Sequence, residues 1–132
     1  MFKKTIKYTD YLGNDREEEF YFDLSPAELT ELELSTEGGL SAMIQKIIKA
    51  KDMPSLIATF KKLVLMSYGE ISSDGRRFVK NDEVRIGFSQ TPAYSILFME
   101  LATNENAATE FVNGIIPKKE IDELKQKQLE NK

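Results

Sequence analysis

The stretch Glu18-Glu19-Phe20-Tyr21-Phe22-Asp23-Leu24-Ser25-Pro26-Ala27-Glu28 decides the fold class, because a strand pattern changes to a helix start within it. In its first half, large apolar side chains occupy every second position, which is the pattern of a strand with one buried face. Ser25 then suits a helix N-cap, with Pro26 at the first helical position and Glu28 at the capping-box position. The stretch therefore predicts a strand followed directly by a helix.

The residues before this stretch predict a second strand, so that residues 1–24 form a β-hairpin. Phe2, Ile6 and Tyr8 lie on one side of an alternating pattern, and polar residues lie on the other. Leu12-Gly13-Asn14-Asp15 supplies the turn, because Gly and Asn tolerate a positive φ. An isolated hairpin is only marginally stable in water, so this one is expected to pack on the rest of the chain.

Apolar side chains at helical spacing predict helices over parts of 25–35, 40–50, 54–68 and 92–113. The last of these is apolar on nearly all sides, which is typical of a central helix, and Thr103-Asn104 is expected to break and recap it. The side chains predicted to be buried are those of Ile44, Ile47, Phe60, Leu63, Phe98 and Leu101.

Residues 70–90 fit two structures. Asp74-Gly75 is a good two-residue hairpin turn between two short apolar runs, but an ordered loop fits the same pattern. The glycines are expected to serve as turns and helix caps, with Gly69 ending the helix before this region and Gly114 ending the last helix.

Together these patterns predict a mainly α protein of the α+β class, with an N-terminal β-hairpin followed by a bundle of about four to six helices. Residues 1–117 are expected to form one globular domain, with the hairpin in 1–24 and the helices in 25–117. The segment 118–132 is mostly charged and has few apolar anchors, so it is expected to be a frayed C-terminal tail.

The composition argues against an enzyme. Of the 132 residues, 41% are hydrophobic and 30% are charged, as in soluble globular proteins. The chain contains no Cys and no His, which excludes thiolate chemistry and removes the commonest general base and metal ligand. It also has no G-x-G-x-x-G or comparable phosphate-binding motif. No catalytic, cofactor-binding or metal-binding residue is therefore predicted.

Charge is segregated along the chain. Between Asp10 and Glu37 there are ten acids and one Arg, whereas Lys46 to Lys62 holds five Lys and one Asp. This pattern fits a docking surface for a basic partner, an intramolecular complement between neighbouring helices, or two solvated helix faces. Neither nucleic acid nor a membrane is an expected partner. No aromatic interleaves the lysine face, the acidic half would repel phosphates, and no apolar run is long enough to cross a bilayer.

Without an apolar segment after Met1-Phe2-Lys3-Lys4, a cytosolic protein is expected.

Five sequence motifs that follow one another in a fixed order indicate a protein family more specifically than composition, charge or apolar spacing does. The chain resembles, over residues 64–117, the tail assembly chaperones encoded by long-tailed phages and prophages of Gram-positive bacteria. Its N-terminal half agrees in layout only, as a hairpin followed by an acidic Ser-Pro helix. The motifs are packing and turn signatures, so they indicate a family without naming a site. They are Tyr68-Gly69-Glu70, Asp74-Gly75-Arg76-Arg77-Phe78-Val79-Lys80, Phe88-Ser89-Gln90-Thr91-Pro92-Ala93-Tyr94, Leu97-Phe98-Met99-Glu100-Leu101-Ala102-Thr103 and Ala107-Ala108-Thr109-Glu110-Phe111-Val112-Asn113-Gly114-Ile115-Ile116-Pro117.

The resemblance implies a non-enzymatic role. Members of that family coat the tape-measure protein before the tail tube polymerises and leave before the virion matures. The expected location is therefore the cytoplasm of the bacterial host, with none of the protein in the mature virion. Such genes often also yield a frameshifted longer product, which would contact the tail-tube protein, and the Lys-rich end of this chain is compatible with that. Self-association is a further expected contact.

An adaptable apolar groove would suit such a partner. The residues predicted to bind it are Tyr94, Phe98, Phe111, Ile115 and Ile116. The competing interpretation is that each of these side chains fills the core of the protein itself. Two other functions also fit the sequence: a structural minor tail or joining protein retained in the virion, and a small phage regulatory binding protein.

Overall fold

The computed structural model describes residues 1–39, 42–43, 45 and 53–116. Within these ranges it has four strands and five helices. The strands are β1 (Phe2–Thr9), β2 (Asp15–Phe22), β3 (Tyr68–Ile71) and β4 (Phe78–Val79), and the helices are α1 (Pro26–Ser35), α2 (Met53–Ser67), α3 (Asp82–Ser89), α4 (Pro92–Thr103) and α5 (Glu105–Ile115).

The strands form one antiparallel sheet in the order β1-β2-β3-β4. The hairpin ladder between β1 and β2 runs along both strands, from the Phe2–Phe22 pair to the Thr9–Asp15 pair. Strand β3 pairs with β2 only near its end, at Tyr21 and Phe22. The part of the hairpin nearest its turn therefore extends beyond the β2–β3 ladder.

The sequence prediction of an α+β protein with an N-terminal hairpin is confirmed. Helix α1 begins with the predicted capping box, in which Ser25 Oγ accepts the Glu28 N–H and the Glu28 carboxylate accepts the Ser25 N–H. The helices are not a continuous bundle, because β3 and β4 interrupt them and join the hairpin sheet. Of the two structures considered for 70–90, the hairpin is the one formed, with its turn at Asp74-Gly75.

Helix α3 was not predicted from the sequence. Asn81 caps it by accepting the Val84 N–H at 2.8 Å, and Asp82 and Glu83 lie in its first turn, where carboxylates favour the helix dipole. This N-terminal signal is present in the sequence as an Asn followed by two acids.

Neither Gly69 nor Gly114 is a helix C-cap, although the last helix does end one residue after Gly114, at Ile115. Helix α2 ends at Ser67, and the next residue already begins β3. Gly69 lies within β3, where a Cβ atom would come within 2.7 Å of the Phe78 ring. Gly114 lies inside α5, where a Cβ would come within 2.5 Å of the Phe2 ring. Both glycines therefore permit close packing of an aromatic ring.

The core contains side chains from the sheet and from the helices on it, and Phe22, Phe60 and Phe111 are among those with at most 1% exposure. Helix α4 is central to this arrangement, since it contacts β1, α2, α3 and α5. Of the side chains predicted to be buried, Phe60, Leu63 and Leu101 are buried, and Phe98 is half-buried.

Several predictions concern residues outside the described part of the chain. Most of the helix predicted over 40–50 lies there, including Ile44 and Ile47, although Met43 is described and buried. The C-terminal tail predicted over 118–132 also lies outside it.

Candidate docking surface

Helix α4 begins at a side-chain cap and ends where the Asn104 backbone N–H donates to the Glu100 carbonyl. Thr91 Oγ1 accepts the Tyr94 N–H at 3.2 Å, and Pro92 occupies the first helical turn. At the other end, Asn104 ends α4 and caps α5 by accepting the N–H groups of Asn106 and Ala107. These caps fix where α4 begins and ends.

The inner side of α4 follows a regular four-residue spacing. Ala93, Leu97 and Leu101 are buried, with exposures of 0%, 1% and 4%. The only charged residue of this helix, Glu100, accepts a hydrogen bond from Lys4 Nζ on β1 at 2.9 Å. This charge is paired on the sheet side, and its side chain is about one-third exposed at the border of the outer side of α4.

The outer side of α4 is uncharged and partly apolar. Ile96 is 43% exposed and Met99 is 57% exposed, and the exposed residues beside them are Ser95 and Thr103. The Thr103 hydroxyl donates to the Met99 carbonyl, so it is already partnered within the helix. We call these four residues the α4 outer face. It can bury apolar area against a partner without desolvating a charge.

A row of aromatic rings runs from the hairpin to the flank of α4. Neighbouring centroids lie 6.4 Å apart for Tyr8–Phe20, 5.3 Å for Phe20–Phe88, 5.7 Å for Phe88–Tyr94 and 5.9 Å for Tyr94–Phe98. Phe88 is buried, whereas the other four rings are half-buried. This row flanks α4 with polarisable surface that is only partly used by the core.

The five predicted partner-binding residues fall into two groups. Tyr94 and Phe98 lie half-buried on the flank of α4 and belong to the aromatic row. Phe111, Ile115 and Ile116 are covered in the core, with exposures of 0%, 1% and 1%. The structure therefore brings only the first group near the α4 outer face. Their roles in partner binding remain predictions.

The tip of the hairpin also presents apolar side chains, which sequence reasoning missed. Tyr11 and Leu12 are 84% and 86% exposed. The Asp10 carboxylate holds their turn by accepting the N–H groups of Leu12 and Asn14 at 2.9 Å and pairing with Arg16 at 2.6 Å. The hydrogen bond from Arg16 is the main reason that the pKa of Asp10 lies below its usual value. The signal for this feature was two large apolar residues inside a turn-forming stretch.

A charged contact holds α1 against the sheet. Lys80 Nζ donates to both Glu28 carboxylate oxygens, at 2.9 and 2.7 Å, and to the Asp23 carbonyl at 2.5 Å. Burial raises the pKa of Glu28, but the hydrogen bonds from Lys80 and from the Ser25 N–H outweigh burial and leave the pKa below its usual value. This contact is a structural ion pair that also completes the α1 cap.

A metal site and a membrane-spanning helix are two further possibilities for the described residues. No group of three or more His, Cys, Asp or Glu side chains there is placed to hold a metal ion. In the same ranges, no helix combines the length and apolar character needed to span a bilayer.

The described residues form a small α+β protein whose exposed apolar features suit contact with other proteins. Comparison with protein families agrees with this class. The chain matches the family described as phage tail assembly chaperone over residues 1–132, and it belongs to that family. No curated protein and no solved structure matches it. The family predicted from the five motifs is therefore confirmed.

Proposed function

We propose that the chain coats the tape-measure protein of its phage and keeps it soluble until the tail tube polymerises. The observation that carries this proposal is the α4 outer face, where Ile96 and Met99 are exposed and none of the four residues is charged. A long helical protein made before its tube exposes apolar surface that aggregates. An uncharged, Met-containing helix face suits an apolar helical partner because it adapts its shape and leaves no charge unpaired.

The proposal includes the place and time of action. The chain acts in the cytoplasm of the bacterial host and is absent from the mature virion. Several copies bind one tape-measure protein, because a protein of this size covers only a short part of a helix that rises about 1.5 Å per residue. A frameshifted longer form would add a contact with the tail-tube protein.

Co-expression with the tape-measure protein of the same phage tests the proposal. The chain should raise the soluble fraction of the tape-measure protein and co-purify with it in several copies. Raising the salt concentration from about 50 to 500 mM should weaken the complex little, because the contact is mainly apolar. Equal solubility of the tape-measure protein alone would contradict the proposal. So would finding the chain at stoichiometric levels in purified virions, which would instead support a retained tail protein.

A pair of variants tests the surface itself. Met99→Asp places a charge on the α4 outer face and should abolish the gain in solubility. Leu34→Asp is the matched control, since Leu34 is 83% exposed on the acidic helix α1 and receives the same substitution. Both variants should keep the unfolding midpoint of the wild type. Equal loss of solubility in the two variants would show that the α4 outer face is not the contact.

A further inference from the structure

Strand β1 has one long side without a partner strand. It is the first strand of the sheet, so it pairs with β2 on one side and with none of the other described strands on its second side. It runs over eight residues without a proline, and its register with β2 contains no bulge. Such an edge offers a row of backbone donors and acceptors to another strand.

Two backbone hydrogen bonds show which residues of β1 face this side. The Asp10 N–H donates to the Asn14 carbonyl at 2.9 Å, in the register of the hairpin ladder. Because opposite residues of an antiparallel ladder alternate between bonded and non-bonded pairs, the even-numbered residues of β1 bond to β2. The Asp23 N–H donates to the Ser67 carbonyl, on the β3 side, which fits the same alternation. The backbone groups that point away from the hairpin, which we call the β1 free edge, are therefore those of Lys3, Thr5, Lys7 and Thr9.

The β1 free edge is accessible. All four of its residues are exposed, and the backbone hydrogen bonds that the described residues form outside helices and strands do not include them. Lysines on an edge strand usually discourage pairing with another strand. Here Lys3 lies 3.6 Å from the Glu19 carboxylate and Lys4 lies 2.9 Å from the Glu100 carboxylate. Part of the charge on β1 is therefore already neutralised within the chain.

A second copy of β1 fits this edge in one antiparallel register. When the two strands are centred on Ile6, Lys3 lies opposite Thr9 of the second copy, and Thr5 lies opposite Lys7. Both are pairs of edge-facing residues, so they can exchange backbone hydrogen bonds, and no lysine lies opposite a lysine. Centring the strands on Thr5 puts Lys3 opposite Lys7, and centring them on Lys7 puts its two copies together. Like charges directly opposite each other are destabilising, so the register centred on Ile6 is preferred.

The same register brings exposed apolar side chains together at each end of the edge. It sets Met1 of one copy opposite Tyr11 of the other, beside Leu12. In the single chain these three residues are 60%, 84% and 86% exposed. Each contact of a two-fold interface occurs twice, so both ends of the paired strands gain this cover. The pairing therefore adds apolar burial to the backbone hydrogen bonds.

We propose that the β1 free edge pairs with the β1 free edge of a second copy, in the antiparallel register centred on Ile6. The two four-stranded sheets then form one continuous sheet, and the assembly closes at two copies because the pairing uses the free edge of each. The proposal goes beyond the contact with the tape-measure protein and does not rest on it, since the chain alone forms the dimer.

Spin labels on the purified full chain test this register. The chain has no cysteine, so Thr5→Cys and Thr9→Cys each take one label. At about 3.4 Å per residue along a strand and about 4.8 Å between strands, the two copies of position 5 lie about 8 Å apart, and those of position 9 about 21 Å apart. Dipolar broadening of the EPR spectrum should therefore be strong at position 5 and weak at position 9. Equal broadening at the two positions, stronger broadening at position 9, or a monomer at about 1 mM in sedimentation equilibrium would overturn the proposal.

A substitution at Thr5 separates dimer formation from folding. Within one copy, position 5 lies opposite Glu19, so Thr5→Lys gains an attractive neighbour in the hairpin. Across the proposed interface it lies opposite Lys7, so the dissociation constant of the dimer should rise about tenfold. Thr109→Lys makes the same change of net charge at an exposed position on α5 and should leave the dissociation constant unchanged.

Equal weakening of the dimer by Thr5→Lys and Thr109→Lys would show a general charge effect and would contradict pairing through β1. No weakening by Thr5→Lys would contradict the register centred on Ile6. The dispersion of the amide NMR spectrum checks the fold of each variant.

Discussion

Helices α4 and α5 are neighbours joined at Asn104, and both contact β1, but they use their surfaces differently. In α5 the exposed side chains are all polar, whereas the outer face of α4 includes Ile96 and Met99. Folding alone explains how side chains are distributed on α5, since its apolar residues are in the core and its polar residues are in water. It does not explain the distribution on α4, where two large apolar side chains lie on an uncharged outer face. Our proposal accounts for this difference by contact of the α4 outer face with another molecule.

The largest expected effect on stability is for a substitution in the core of α5. Phe111 is fully buried and makes edge-on contacts with the Phe2 and Phe22 rings, at 5.4 and 5.5 Å. Phe111→Ala should lower the free energy of unfolding by about 3–5 kcal/mol, because a cavity is added to the lost transfer energy. Urea denaturation measures this change. A decrease in the free energy of unfolding of less than about 1 kcal/mol would mean that Phe111 of α5 is not in the core. The contrast between α4 and α5 would then not hold.

The ion pair between Lys80 and Glu28 should have the next largest effect. Lys80→Met should destabilise the protein by about 1–3 kcal/mol, because Lys80 is nearly buried and its removal leaves Glu28 without its main partner. The control is Arg85→Met, since the pair of Arg85 with Asp82 lies at the surface. Equal effects of the two substitutions in urea denaturation would contradict the structural role of Lys80.

The same pair predicts a pH dependence. The pKa of Glu28 is lower in the folded protein than its usual value of 4.5. The ionised carboxylate therefore contributes stability that is fully present above pH 4.5 and is lost as the pH falls through the folded pKa. Unfolding free energies of the wild type and of Glu28→Gln should converge as the pH falls below 4.5. A constant difference down to pH 2.5, or a wild-type advantage that grows on acidification, would contradict this sign.

A smaller effect on stability is expected for the ion pair between Lys4 and Glu100, the only charged residue of α4. Lys4 and Glu100 are each about one-third exposed, so solvent screens much of their attraction. Lys4→Met and Glu100→Gln should each lower the free energy of unfolding by no more than about 1 kcal/mol, with a coupling of about 0.5 kcal/mol in a double-mutant cycle. A coupling of zero would show that the charge of Glu100 is free, and the contrast between α4 and α5 would then be weaker.

The smallest effect on stability is expected at the α4 outer face. Ile96→Ser and Met99→Ser should each change the free energy of unfolding by no more than about 0.5 kcal/mol, because both side chains are already exposed. Thr109→Ala on α5 is an exposed control. Destabilisation by more than about 2 kcal/mol would place Ile96 or Met99 in the core and remove the reason to interpret this face as a docking surface.

Much of the fold could be predicted from the sequence because its signals are local. The capping box at Ser25 and the Pro at the start of α4 fix helix starts through bonds between residues close in sequence. The roles of Gly69 and Gly114 could not be predicted in this way. Phe78 packs on Gly69 across the β3–β4 hairpin, and Phe2 packs on Gly114 from the other end of the chain. Only the pairing of strands and the packing of helices bring each ring to its glycine.

The candidate site was predictable only in part for the same reason. Tyr94 and Phe98 were correctly placed on the helix that carries the α4 outer face, and Phe111 was grouped with them because all three are aromatic. Spacing along an almost wholly apolar helix does not reveal which side is covered, since that depends on where β1 and the other helices lie.

Site-specific photo-crosslinking tests the central claim most directly. A photoreactive phenylalanine analogue is placed at Met99 on α4 or at Thr109 on α5, and each variant is co-expressed with the tape-measure protein and illuminated. Both positions are exposed, and the two helices are adjacent in sequence and in contact. Our account predicts a crosslink to the tape-measure protein from position 99 and none from position 109. A crosslink from position 109 with none from position 99, or equal crosslinks from the two, would contradict it.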